Sequence, residues 1–231
     1  PSQRLGGSLA IQLGMLTTRL DETDEFHPFG TGRTFSYSDF VGGLAYGRRW
    51  TDKLLIGAGV KYVREDLGSQ VGGPITSALL VDLGSIYYLG YGSVRIGTSL
   101  SNFGAEMTPS GSYVSPYTGE TRSYDGFDPP MQFRYGLAFE AIETARQRLT
   151  VATEVVQPAD NAQRIKAGLE WTWQRRFSLR GGYNFNADVM RLSGGFGAVV
   201  PMGTAQSSID YTYTDGGPLL GVHRMSLGVR F

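Results

Sequence analysis

The chain has two histidines that could act as a catalytic base, His27 and His223. His27 lies in a polar stretch, whereas His223 alternates with apolar residues near the end of the chain. A base works when it is within hydrogen-bond reach of a nucleophile or a water molecule, and no serine, histidine and carboxylate spacing of that kind stands out. Cysteine is absent, which excludes disulfides, thiolate metal sites and cysteine nucleophiles. The sequence therefore predicts a protein that is not an enzyme and that needs no cofactor.

The acidic run Asp21–Glu25 could bind calcium through its carboxylates. It lacks the glycine and the ligand spacing of a known calcium loop, and charge runs are usually solvated. We therefore predict no metal site. The 21 basic and 21 acidic residues balance, so that nucleic acid, which binds basic surfaces, is not expected as a partner.

Eleven charged residues alternate with apolar residues in segments that have the period of β-strands. They fall on the face opposite the apolar stripe. In a membrane barrel this polar face lines the lumen. They could line an aqueous pore, or pair across the barrel and fill it; because a barrel of this size leaves limited room, we favour filling. The predicted lumen charges are Lys61, Asp82, Arg95, Arg134, Glu140, Glu154, Lys166, Glu170, Arg180, Asp210 and Arg224.

Aromatic side chains in two irregular segments are candidates for binding a protein partner, because exposed aromatics in adaptable loops are common interface anchors. The alternative is that they pack over the mouth of a barrel. The segments are Thr17–Ser36 and Gly104–Pro130, and the candidates are Phe26, Phe29, Tyr113, Tyr117, Tyr124 and Phe127.

These side chains lie on or between about twelve segments of roughly ten residues each. That is the length of a tilted strand that spans a bilayer. The 33 glycines, 13 tyrosines and 12 phenylalanines suit many short strands better than a helical core. No run approaches the ~18 consecutive apolar residues of a transmembrane helix. The predicted strands are Arg4–Leu16, Ser38–Trp50, Leu54–Arg64, Thr76–Leu89, Ser93–Phe103, Met131–Ala141, Leu149–Val156, Arg164–Trp173, Phe177–Phe185, Leu192–Val200, Ser207–Tyr213 and Gly221–Phe231.

The connections between these strands alternate between long or irregular segments and tight turns. In an up-and-down meander the two classes lie at opposite ends, and outer-membrane barrels place long loops outside and short turns in the periplasm. We predict an all-β, up-and-down antiparallel transmembrane β-barrel, a single domain over residues 1–231, with extracellular loops and a periplasmic C-terminus. The alternative is a soluble sandwich, which would bury the apolar stripes against a second sheet.

The last predicted strand ends on an aromatic residue, with Leu227, Val229 and Phe231 on its apolar face. This ending resembles the closing strand of outer-membrane barrels. The resemblance implies that these residues form the signal read by the barrel-assembly machinery during biogenesis.

Three segments resemble the PorV/PorQ family of outer-membrane proteins: Thr34–Glu65, Val81–Tyr88 and Arg95–Gly104. The resemblance implies a FadL-like barrel of fourteen strands and an association with type IX secretion, in which PorV-like members receive cargo at the translocon. Since we count about twelve strands, either two strands lie upstream of Pro1 or the barrel is smaller. We expect the former, because an unpaired strand edge is costly in lipid.

The leading hypothesis is therefore a non-enzymatic barrel, embedded in outer-membrane lipid, that docks protein partners or cargo in secretion or a surface assembly. A FadL-like transporter of hydrophobic or small solutes is the alternative, although the Gly, Ser, Arg and Glu residues of the lumen face argue against an apolar path. A structural envelope subunit is a third possibility. Deletion of Ser110–Asp125 separates the first two, since it would abolish docking while leaving the barrel intact.

Overall fold

The structure, a computed structural model, describes residues 7–23, 26, 28–115, 117–202 and 205–230. Its long elements are β-strands, and the helical residues it describes form two 3₁₀ turns, Ser69–Val71 and Gly217–Leu219. No helix in this part of the chain is long and apolar enough to cross a bilayer. The strands are β1 (Gly7–Asp21), β2 (Thr34–Arg49), β3 (Leu54–Leu67), β4 (Ile75–Tyr88), β5 (Arg95–Gly104), β6 (Ser112–Val114), β7 (Thr121–Ser123), β8 (Gln132–Glu143), β9 (Gln147–Pro158), β10 (Arg164–Trp173), β11 (Phe177–Asn184), β12 (Leu192–Met202), β13 (Ala205–Thr214) and β14 (Val222–Arg230).

Twelve of these strands form one sheet in which neighbours in sequence are neighbours in space. The order is β1-β2-β3-β4-β5-β8-β9-β10-β11-β12-β13-β14, and the short strands β6 and β7 pair with each other instead. This is the order of an up-and-down meander, so the predicted all-β fold of about twelve strands is confirmed.

The connections alternate in length, as predicted. They contain five to 27 residues after β1, β3, β5, β9, β11 and β13, and two to six residues after β2, β4, β8, β10 and β12. We call the first class loops and the second class turns.

The contacts of the sheet divide the chain into two compact units. The first unit comprises the described residues within 7–50, 55–84 and 100–132. Within it, β1 pairs with β2 along its whole length, from Gly7 opposite Arg48 to Asp21 opposite Thr34. The hairpin β6–β7 belongs to the same unit.

The second unit comprises the described residues within 51–54, 85–99 and 133–230. Within it, strands β9 to β14 pair in unbroken antiparallel succession. The register sets Glu154 opposite Lys166 and Glu170 opposite Arg180, so that opposite charges face each other across neighbouring strands.

The alternation of apolar and polar residues in the sequence becomes an alternation of exposed and half-buried side chains. The apolar side chains are the exposed ones, which is the reverse of a soluble protein. In β3 the apolar Ile56, Val60 and Tyr62 are exposed, whereas Lys61 between them is half-buried. Among the described residues, proline and glycine apart, the buried apolar side chains are Leu80, Met107 and Val156. A soluble sandwich packs its apolar faces together. Because these apolar faces are open, the soluble alternative is wrong.

The first hairpin is longer than predicted. Residues 17–36 were expected to be irregular, but β1 continues to Asp21 and β2 begins at Thr34. The Thr17 hydroxyl donates to the Tyr37 carbonyl oxygen at 3.2 Å, and pairing continues beyond the apolar stripe. Polar residues therefore extend the strands past the stripe, which a criterion based on apolar alternation does not detect.

The segment 104–130 was also expected to be irregular, but it contains the hairpin β6–β7. Its base is fixed by two backbone hydrogen bonds between Met107 and Phe127, at 2.8 and 3.0 Å. A further bond of 2.8 Å runs from the Ser110 amide to the Ile75 carbonyl oxygen, which ties the segment to the start of β4.

Candidate functional site

The polar face of the first unit carries an ion pair between β3 and β4. Lys61 Nζ lies 2.8 and 2.7 Å from the two carboxylate oxygens of Asp82. The backbone amide of Asn102, which has a left-handed φ of 62°, donates to the same carboxylate at 2.8 Å. Asp82 therefore neutralises a cation and also fixes a strained residue near the end of β5.

The pair Arg95–Glu140 joins β5 and β8 in the second unit. Arg95 Nη1 donates to both carboxylate oxygens of Glu140, at 2.8 and 3.0 Å. The amide of Glu140 donates to the Ser93 hydroxyl at 2.8 Å. The side chain of Glu140 is 9% exposed, so this pair is better shielded from water than the other ion pairs of the polar face.

Arg180 on β11 binds two carboxylates on two different strands. Its Nε lies 2.6 Å from Glu170 on β10, and its Nη1 lies 2.5 Å from Asp210 on β13. To reach Asp210 the side chain crosses β12, where Gly195 and Gly197 stand opposite Arg180 and Asp210. A Cβ atom at Gly197 would collide with the side chain of Asp210, so the glycine provides the space for the ion pair.

The remaining predicted lumen charges are Glu154, Lys166, Arg134 and Arg224. Lys166 Nζ lies 3.4 Å from Glu154, and both side chains are about 40% exposed, which makes this pair weak. Arg134 on β8 lines a cavity of about 310 Å³ together with Arg95. Arg224 lies on β14 opposite Thr212 and lines a larger cavity.

The structure thus brings at least nine of the eleven predicted charges into ion pairs. Each pair links strands that are adjacent or two apart in the sheet. These pairs run along the sheet, between the strands that carry the charges. They leave open space over the polar face.

The larger cavity has a volume of about 760 Å³ and lies on the second unit. Its wall includes Arg164 and Lys166 on β10, Asn184 on β11 and Arg224 on β14, together with the loop that contains Asp188 and Arg191. Arg164 and Asn184 were not among the site residues predicted from the sequence. The sequence pattern could have identified both residues, because each continues the alternation of polar residues to the end of its strand.

A tyrosine flanked by two carboxylates on the polar face of β2 and β3 was also missed. The Tyr37 hydroxyl lies 2.7 Å from Asp39 and 3.0 Å from Glu65. Asp39 is directly opposite Glu65 in the register, and Tyr37 is two residues before Asp39. The alternation that placed the lumen charges would have placed all three residues on one face.

The predicted partner-binding aromatics fall into two groups. The rings of Tyr113 and Tyr124 are 5.2 Å apart and pack on each other across the hairpin, and Phe127 lies at the hairpin base. In contrast, Tyr117 is 95% exposed beyond the hairpin strands. Phe26 and Phe29 in the first loop are also exposed.

Of the predicted assembly signal, Leu227 is exposed and lies opposite Ile209. Phe231 and the side chain of Val229 lie outside the described residues, as does His27. His223 accepts or donates a hydrogen bond of 2.7 Å between its Nδ1 and the Tyr211 hydroxyl. The described part of the chain contains no cluster of three metal-binding side chains.

No family profile and no curated protein matches the sequence. Several solved structures match the fold, among them two outer-membrane proteins. The toluene transporter TbuX of Ralstonia pickettii superimposes with a TM-score of 0.53 and 12% identity, over 96% of this chain and 76% of that one. A ΔS2S3 mutant of TodX, a monoaromatic hydrocarbon channel, gives a TM-score of 0.56 and 14% identity, over 96% and 77% of the two chains. The likeness confirms the FadL-like barrel fold and gives no support to PorV/PorQ membership in particular.

Proposed function

We propose that the chain forms an outer-membrane β-barrel through which small solutes pass. The observation that carries this proposal is the inverted sheet, whose apolar side chains are exposed while its charged side chains are partly buried and paired. In lipid every backbone group must be bonded internally, which favours closed sheets with apolar outer faces. The fold shared with two transporters supports the same reading.

Passage of solutes is favoured over docking because the polar face keeps open space. The ion pairs lie along the sheet, and cavities of about 310 and 760 Å³ lie beside them. The cavity walls carry arginine, lysine, serine and threonine side chains, which suit polar solutes better than hydrocarbons. Two of the candidate docking aromatics, Tyr113 and Tyr124, are packed on each other.

The proposed orientation places the loops outside the cell and the turns in the periplasm, following the habit of outer-membrane barrels. Exposed aromatic side chains near the turns fit a membrane interface, where such rings are common. They include Tyr46, Trp50, Tyr87, Trp171, Trp173 and Phe177.

Reconstitution tests the proposed passage of solutes. The purified protein in planar lipid bilayers is expected to give stepwise conductance, and liposomes containing it are expected to swell in isosmotic small solutes. A variant lacking residues 110–125 should conduct as well, because those residues belong to the hairpin and not to the sheet. A folded, membrane-inserted protein that neither conducts nor admits solutes contradicts the proposal.

A second candidate function is the docking of a secreted protein, in the manner implied by the PorV/PorQ resemblance. The observation that favours it is the hairpin β6–β7, which is anchored at its base and presents a nearly fully exposed Tyr117. Partner proteins that co-purify with the wild-type chain in mild detergent, and not with the variant lacking residues 110–125, would support docking. Loss of partners with conductance unchanged would show that both functions coexist.

A further inference from the structure

We infer that the 760 Å³ cavity on the polar face is a binding site for small organic anions, with aromatic carboxylates as the fitting chemical class. This inference rests on the proposed passage of solutes and specifies which solutes are preferred. The proposed ligands differ from those of the two similar proteins, since toluene and other monoaromatic hydrocarbons carry no charge.

The charges around the cavity are unbalanced. Four cationic residues line it, against two carboxylates. The cationic residues are Arg164, Lys166, Arg191 and Arg224, and the acidic residues are Glu154 and Asp188. The cavity therefore carries a net positive charge, although the chain as a whole carries none.

Two of the four cations already have partners. Lys166 is paired with Glu154 at 3.4 Å, and the guanidinium of Arg191 lies over the Tyr183 ring, 5.6 Å from its centroid. Among the described residues, neither Arg164 nor Arg224 lies within 4.0 Å of a carboxylate. A bound anion would therefore supply the guanidinium groups of Arg164 and Arg224 with a partner that no carboxylate of the described residues provides.

The two arginines are held on separate strands of the same unit. Arg164 begins β10, and Arg224 lies on β14. Guanidinium groups bind carboxylates through two parallel hydrogen bonds, which makes arginine the residue of choice for this recognition. Asn184 on β11 lines the same cavity, and its side-chain oxygen is buried without a hydrogen-bond partner among the described residues. A rotation of its amide would present an N–H donor to a bound carboxylate.

The cavity also has an apolar part. Val189 and Met190, in the loop between β11 and β12, contribute to its wall. A ligand with an anionic head and an apolar ring would satisfy both parts, and the volume lies within the range of about 300–1,000 Å³ of small-molecule sites. A neutral hydrocarbon of the same size would displace water from the two unpaired arginines. Because it could not replace the hydrogen bonds of that water, its binding would be unfavourable.

The test compares benzoate with benzyl alcohol, a neutral molecule of similar shape, by calorimetric titration of the full protein in detergent. We expect benzoate to bind at least about tenfold more tightly, and added salt to weaken its binding, since the interaction is partly exposed. Arg164→Gln and Arg224→Gln should each weaken benzoate binding about five- to tenfold and leave benzyl alcohol unchanged. Arg122→Gln is the matched control, because Arg122 lies in the hairpin and pairs with Glu120 outside the cavity.

The inference is overturned if benzoate does not bind, if it binds no better than benzyl alcohol, or if both cavity variants bind it like the wild type. Circular dichroism of the variants shows that they are folded, and Arg164→Lys should restore part of the lost affinity because it retains the charge. Conductance separates this inference from the proposed function. Benzoate binding without conductance contradicts passage alone, and conductance without a preference for benzoate contradicts the anion site alone.

Discussion

Arg180 shows how a single residue can link several strands of the sheet. It lies between Glu170 and Asp210, which would repel each other if the guanidinium were removed. Its path over β12 requires a residue without a side chain, and Gly197 supplies it. The ion pairs of this face are therefore specified by small residues as well as by charged ones.

Substitution of Arg180 by Met should lower the free energy of unfolding by about 1–3 kcal/mol, because two carboxylates lose their hydrogen-bonded cation. Lys166→Met is the matched control. Lys166 has one partner at 3.4 Å, and both side chains of that pair are about 40% exposed, so its loss should cost less than about 1 kcal/mol. Urea unfolding in lipid vesicles, followed by tryptophan fluorescence, measures both values. Equal losses would show that the Arg180 network adds no stability beyond a surface pair.

At the scale of the element, the evidence for a membrane protein is the exposed apolar face of the strands. On β1, alternate residues Leu9, Ile11, Leu13 and Met15 are each at least 70% exposed and apolar. A continuous apolar stripe on an exposed face is unfavourable in water and favourable in lipid.

Leu13→Arg on this stripe should reduce stability in a bilayer by about 2–4 kcal/mol, which is the cost of a lipid-facing arginine near the middle of a barrel strand. Gln12→Arg, one residue earlier, points to the opposite face and should have little effect. The yield of folded, heat-modifiable barrel in vesicles compares the two variants. If the two variants fold equally well, the outer face of β1 does not contact lipid.

At the scale of the whole molecule, much of the fold could be predicted because the alternation of side chains along a strand is local. The twelve strands, their order and the face on which the charged residues lie all follow from that period. The partners of those charges could not be predicted, because Arg180 reaches Asp210 only through a register and a glycine on an intervening strand. The hairpin β6–β7 was also missed, since strands of three residues have no measurable period.

The loops and turns differ in charge as well as in length. The loops contain ten acidic and three basic residues, whereas the turns contain one acidic and four basic residues. Basic residues at one end of the strands suit a phospholipid surface, whose negative charge attracts lysine and arginine. The charge distribution therefore supports the proposed orientation independently of loop length.

Because the chain contains no cysteine, single cysteines can report this orientation without background. Tyr117→Cys lies beyond the hairpin strands in a loop, and Ala145→Cys lies in the turn between β8 and β9; both positions are exposed. A membrane-impermeant maleimide applied to intact cells should label the cysteine at position 117 and spare that at position 145, and permeabilised cells should label both. The reverse pattern would place the turns outside and the acidic loops in the periplasm. It would also move the mouth of the anion-binding cavity, which opens near the loop between β11 and β12, to the inner side of the membrane.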